Sequence, residues 1–304
     1  MSVASKLLRN RNFILILAIA LGLTIGEVGA TRTQSLVLPA LALVMTLSAT
    51  DITSHEFTNL RAMPKAVFVS LLLTYVVAGG IILLMAWWLI DDQELWTGFV
   101  VLAAVPPAVA VVPFSYMLGG NALFSLIGMT GAYLAALVIM PAAMALFLGV
   151  DFFDPAGLLL ILGELIVIPI VVSRILLFTG WNRYLKRWRG TITNWSFFIA
   201  LFTIVGLNRQ AFFSEFDVLI RLVVIAIVIS FVLGYAIELI ARVLPVSRET
   251  GVSLVLMGTL KNYGLASGIL LTLFSERAAI PPSICVVFAV LRIIWLGFRF
   301  KKTV

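Results

Sequence analysis

The sequence predicts an all-α integral membrane protein of ten transmembrane helices. They are arranged as a 5+5 inverted repeat with two discontinuous helices, spans 4 and 9, crossing at the centre. Three observations carry that reading. Of 304 residues, 62% are apolar and only 12% charged, against about 45–50% and about 25% in soluble domains. The apolar residues form continuous runs long enough to cross roughly 30 Å of hydrocarbon. Two of the runs are interrupted near their middles, about half a chain apart. A soluble fold could not cover this much apolar surface. Long unbroken runs argue against a barrel, whose strands alternate. A single cysteine, Cys285, excludes a disulfide scaffold.

Polar breaks place the spans near 12–28, 34–50, 65–90, 95–118, 121–149, 156–178, 191–208, 216–241, 250–275 and 279–299. The first follows Lys6, Arg9 and Arg11. Its apolar stretch Phe13–Ile25 and the Val28-Gly29-Ala30 triplet have the form of a secretory leader, but nine further spans favour an uncleaved helix. The second contains LVLPALALVMTLSATDIT, and the polar loop after it holds His55 beside Glu56, read as solvated. The third runs from Lys65 to the Asp91-Asp92 pair. The fifth begins after Gly119-Gly120 with Asn121 as its helix cap. The sixth carries Glu164 and, nearer its end, Arg174. The seventh follows the basic stretch Arg183–Arg189. The eighth runs from Arg221 to Glu238, and the tenth holds Cys285, read as a packing residue, and Arg292.

Charge placement supports an even count. With the N-terminus in the cytoplasm, the inside segments hold 14 of the 21 basic residues, Arg11, Arg61, Arg242, Arg248, Arg299, Lys301 and Lys302 among them. The outside segments are acidic, with Asp91, Asp92, Glu94, Asp151, Asp154, Glu215, Asp217 and Glu276. Lys and Arg in short loops set orientation, so both termini are expected in the cytoplasm and the protein in the plasma membrane. The +7 net charge is thereby topological, and no nucleic-acid partner is implied.

Ten spans divide into five and five, residues 1–150 and 151–304. Five is odd, so the second half enters the membrane inverted. Such repeats are typical of secondary transporters, whose sites lie where two helices break near the midplane. Span 4 reads VVLAAVPPAVAVVPFSYMLGGN. Pro106, Pro107 and Pro113 each remove a backbone donor and bias the preceding residue away from helix. Span 9 reads GVSLVLMGTLKNYGLASGILLTLF, with Gly258, Lys261, Asn262 and Gly264 at its centre. A lysine so deep must face a partner or a wet cavity. Freed N–H groups attract anions and freed carbonyls hold cations.

At these stretches the chain resembles the bile acid:sodium symporter family. K-N-Y-G-L-A is similar to that family's Q-N-S-G-L motif, and PPAVAVVPFSYMLGGNALFSL is similar to its P-G-G-T-A-S-N segment leading into span 5. The resemblance implies a core of spans 3–5 and 8–10 and a panel of spans 1, 2, 6 and 7, rocking about a substrate held between them. It places substrate or ion contacts at Pro106, Pro107, Val111, Val112, Pro113, Ser115, Asn121, Ser125, Thr74, Thr259, Lys261, Asn262, Tyr263 and Gly264. Several of the family's sodium ligands are replaced. Val111 and Val112 stand where a Ser-Asn pair binds sodium, Met257 stands for an acidic ligand and Lys261 for the glutamine. Ser125 keeps a hydroxyl, Met129 replaces another beside Thr130, and Thr74 falls near a third-span glutamine.

An ammonium can take the place of a bound monovalent cation, donating to carbonyls and hydroxyls. The expectation is therefore a sodium-independent carrier of a small organic anion, coupled to protons through Lys261 or uncoupled. Glu164 is read as a partner for Lys261, a protonatable group on the cavity, or an ordinary helix residue. Arg292 is read as a partner for a substrate carboxylate or for Glu238. The alternatives are a sodium-coupled symporter with altered sites, an efflux carrier, and a membrane sensor or scaffold. An arsenite carrier would need a cysteine in span 4, and a sensor a soluble domain. Nothing resembles a zinc site, a nucleotide loop or a hydrolytic triad, so neither an enzyme nor a cofactor or resident metal is expected. A small anionic substrate, a proton or sodium as coupling ion and the lipid bilayer are the expected partners. A monomer is compatible with these features.

Overall fold

The computed structural model describes residues 10–50, 63–149, 154–213 and 215–299, without the side chains of Glu27 and Met63. Lys6, Arg9, His55, Glu56, Arg61, Asp151, Lys301 and Lys302 lie outside the described residues. Within them the chain is helical and contains no strand. Helix α1 (Arg11–Thr33) starts at Asn10, whose Oδ1 accepts the Phe13 N–H at 3.3 Å. Only a 3-10 turn, Gln34–Leu36, separates it from α2 (Val37–Ala49). The loop expected at 29–33 is therefore helical, and the break falls at Thr33 and Leu36, where ψ is -2 and -9°.

The next stretch joins α3 (Met63–Leu71) and α4 (Gly79–Leu89) through a π segment, Leu72–Ala78. Two shorter pieces follow, α5 (Gln93–Ala104) and α6 (Val111–Met117), then the long α7 (Ala122–Leu148). Asp92 caps α5 and Asn121 caps α7 through side-chain oxygens. Pro141 inside α7 is tolerated, and Gly149, at φ 89°, ends that helix. A second π segment, Gly163–Val167, lies between α8 (Pro155–Leu162) and α9 (Ile168–Phe178). After the short α10 (Asn182–Leu185) comes α11 (Arg189–Leu207). A third, Val228–Val232, joins α12 (Phe216–Ile227) to α13 (Leu233–Val243). The chain ends in α14 (Arg248–Thr259), α15 (Tyr263–Leu273) and α16 (Ile280–Arg299).

Among the described residues, seven stretches are long and apolar enough to cross a membrane, and Arg11–Gly26 and Tyr263–Leu273 are shorter apolar helices. Large apolar side chains cover the outside: Trp87, Trp88, Leu146 and Phe178 are all more than 70% exposed. Water would not tolerate such a surface, but hydrocarbon does. The protein is a multi-pass membrane protein.

Without a hydrophobic force between helices in lipid, close backbone approach holds them together. Helix α1 packs on α11 through Gly26 and Gly206, where a Cβ on Gly26 would stand 2.4 Å from the Gly206 Cα. Thr33 and Thr203 share a 2.5 Å hydroxyl bond beside it.

At one end of the bundle Arg277 joins Asp92 at 2.8 Å and grips both oxygens of Glu215 at 2.8 and 2.9 Å. The Arg277 hydrogen bond holds the Glu215 carboxyl below its usual range. A carboxylate with a lowered folded-state pKa stabilises above its unfolded value, about 4.3, and that contribution fades as pH falls through the folded value. The melting temperature of wild type should exceed that of Arg277→Gln at pH 7. The gap should narrow below about pH 4. Both groups are part-exposed, so the gap should also shrink with salt.

Candidate functional site

Both interruptions open where the sequence places them. Val105 is extended, with ψ 150°, because Pro106 follows it, and Leu260 is extended with ψ 94°. The two open segments meet as an antiparallel bridge between Pro107 and Lys261. Ala108 donates its N–H to the Leu260 carbonyl at 2.8 Å, and Asn262 donates to the Pro106 carbonyl at 2.9 Å. Each break thus satisfies backbone groups of the other, as burial away from water requires.

The Lys261 side chain is fully buried. Its Nζ donates to the Ala103 carbonyl at 2.8 Å and to the Thr74 carbonyl at 3.1 Å, with the Tyr75 ring centroid 5.2 Å away. Ala103 lies in the last turn of α5, where carbonyls lack helical partners. Thr74 lies in the first π segment, and its carbonyl also accepts from the Gly79 N–H. A Cβ on Gly79 would stand 3.0 Å from the Ala103 oxygen, so glycine there keeps both carbonyls open to the ammonium. Thr74 serves through its backbone; its hydroxyl makes a long 3.4 Å contact with the Met257 carbonyl.

Asn262 organises the start of α15. Its Oδ1 accepts the Leu265 N–H at 3.0 Å and its Nδ2 donates to the Tyr133 hydroxyl at 2.8 Å, tying α15 to α7. Thr259 turns its hydroxyl to the Val255 carbonyl at 2.7 Å, and Tyr263 reaches the Thr259 carbonyl at 3.4 Å. Val111, Val112, Pro113 and Ser115 all belong to α6. Ser115 and Ser125 share a 2.6 Å hydroxyl bond, and Ser253 donates to the Asn121 carbonyl at 2.9 Å. Pro106, Pro107, Lys261, Asn262, Tyr263, Gly264 and Thr259 therefore meet at one centre. The Ser115, Ser125 and Asn121 group lies on the α6, α7 and α14 side of it.

Two expected residues are elsewhere. Glu164, in the second π segment, is exposed and forms no ion pair with Lys261. The neighbouring Leu165 lines the cavity instead. Arg292 is fully buried, but it does not line the cavity. Its guanidinium carbon lies 4.9 Å from the Tyr235 ring, 4.6 Å from Trp295 and 5.5 Å from Phe231. Gly234 makes room for it, since a Cβ there would stand 2.7 Å from Nη2. Glu238, its expected partner, forms direct ion pairs with Arg242 at 2.6 Å and Arg299 at 2.9 Å and attracts Arg292 without contact. Arg174 donates to the Ala49 carbonyl.

Beside the crossing lies a cavity of about 110 Å³. Its walls include Leu41, Val44 and Met45 of α2, Phe197, Leu201 and Ile204 of α11, Val286 and Val290 of α16, and the crossing itself from Ala108 to Ala110 and Leu260 to Leu265. Arg11 also lines it, a residue that the charge count had grouped with the topological cations.

The chain matches the family model described as the SBF-like CPA transporter family, a bile acid:sodium symporter-related group, over residues 12–296. No curated protein matches it. A match over nearly the whole chain, on a helical membrane fold with two crossed breaks, places the protein in that family of membrane transporters.

Proposed function

We propose that the protein is a sodium-independent secondary carrier of a small organic anion, working by alternating access, with the Lys261 ammonium in the seat of a bound cation. The observation that carries this reading is the pair of backbone carbonyls, Ala103 and Thr74, on which the Lys261 Nζ rests. One comes from a half-helix end and the other from a π turn, the two kinds of carbonyl that an opened helix offers to a cation. No acidic side chain pairs with Lys261 among the described residues. A lysine that loses its proton leaves that seat, so the same group can couple transport to protons.

In this reading the ten helical units form an inverted 5+5 repeat, residues 1–150 and 151–304. Spans 3–5 and 8–10 move as a core against a panel of spans 1, 2, 6 and 7. The cavity between α2, α11 and the crossing is the substrate site. Both termini lie in the cytoplasm, and the membrane is the plasma membrane.

Uptake of labelled mono- and dicarboxylates into proteoliposomes tests it. Uptake should be unchanged when sodium is replaced by choline, and a response to an imposed pH gradient would assign proton coupling rather than uniport. Steep sodium dependence that persists in Lys261→Gln would overturn it.

A further inference from the structure

The cavity beside the crossing contains two cationic residues and no acidic one. They are not equivalent. The Lys261 ammonium is turned away onto two backbone carbonyls. Arg11 is not turned away: its guanidinium carbon lies 3.8 Å from the Phe114 ring centroid and 5.7 Å from that of Phe197, both cavity walls. Its Nε is buried and has no hydrogen-bond partner, and no carboxylate faces it among the described residues. Two aromatic faces compensate part of the cost of burying a cation, but a ring supplies no acceptor for N–H donors. A guanidinium held over a ring with its Nε donor unsatisfied is poised to take an oxyanion.

We infer that Arg11 is the residue that recognises the anionic group of the ligand, and that Lys261 and Arg292 do not contact it. This rests on the reading of the cavity as the substrate site. Apart from Asn262 and Tyr263 of the crossing, whose polar groups are engaged with Tyr133, Leu265 and Thr259, the remaining walls, among them Leu15, Leu41, Val44 and Leu201, are apolar, so the ligand carries a single oxyanionic group on a compact apolar body. The neutral analogue of such a ligand keeps the apolar contacts and loses only the interaction with Arg11.

Binding of 2-naphthoate and its neutral amide to the full chain in nanodiscs tests the assignment. A photoreactive naphthoate reports where the probe sits. Wild type should prefer the carboxylate at least tenfold and crosslink to cavity residues. Arg11→Gln should bring the two probes to equal affinity with the amide unchanged, and Arg11→Lys should keep part of the preference. Arg11→Glu should reverse it, favouring 2-naphthylmethylammonium; a reversal cannot arise from misfolding. Arg292→Gln should leave the preference intact. If Arg11→Gln retains the tenfold preference while the probe still crosslinks in the cavity, the role of Arg11 is overturned and the cavity reading stands. If wild type binds neither probe, or crosslinks only outside the cavity, the cavity reading fails and this assignment falls with it.

Discussion

Lys261→Met should abolish transport and lower the stability of the fold by about 1–3 kcal/mol. The methionine fills similar space but offers nothing to the Ala103 and Thr74 carbonyls. A buried acceptor left without a donor costs about 1–3 kcal/mol; the Ala103 carbonyl loses its donor outright, while Thr74 keeps the Gly79 N–H. A melting curve in nanodiscs, read beside proteoliposome uptake, measures the two effects separately. Lys261→Arg should recover part of the stability, because guanidinium donors can reach the same oxygens, but its fixed charge should remove any proton coupling. Stability unchanged in Lys261→Met would show that the ammonium does not hold the two helices together.

Gly98→Val should be as damaging without touching the cavity. A Cβ at Gly98 would stand 2.2 Å from the Ala278 carbonyl oxygen and 2.9 Å from the Pro281 ring. Neither obstacle can swing aside: one is backbone and the other a rigid ring at the start of α16. Overpacking of this kind costs about 1–3 kcal/mol, and more where backbone must move. Because the last turn of α5 carries the Ala103 carbonyl, pushing its Gly98 face outward also shifts a Lys261 acceptor. The expected result is a lower melting temperature together with slowed uptake. Gly80→Ala, where nothing lies within 4 Å, is the control that should change neither.

The breaks were legible because their causes are local. Three prolines in eight residues, and a lysine amid apolar neighbours, announce themselves in sequence. The π segments were not. Leu72–Ala78 reads LLTYVVA, with no glycine or proline, and its extra residue per turn is imposed by packing that the string does not contain. Glu164 lies in another such segment, and there the neighbouring Leu165, not the carboxylate, lines the cavity. Arg292 looked like a substrate ligand because depth can be read from sequence and facing cannot; three aromatic rings enclose it on another side of the bundle. Arg11 was hidden by good company. A cation among cations before the first span satisfies the positive-inside rule, and only the fold lays it over Phe114.

The bridge between Pro107 and Lys261 also sets an order of assembly. Its two segments lie about 150 residues apart, which at roughly 5–20 residues per second is about 8–30 s of synthesis. Until Leu260 and Asn262 emerge, the Ala108 N–H and the Pro106 carbonyl have no partner from their own half. Hydrocarbon gives no substitute for them. The Pro106–Ala108 segment is therefore expected to stay near water until its counterpart emerges. A chain truncated before residue 260 should leave that segment open to proteases that never reach it in the finished protein.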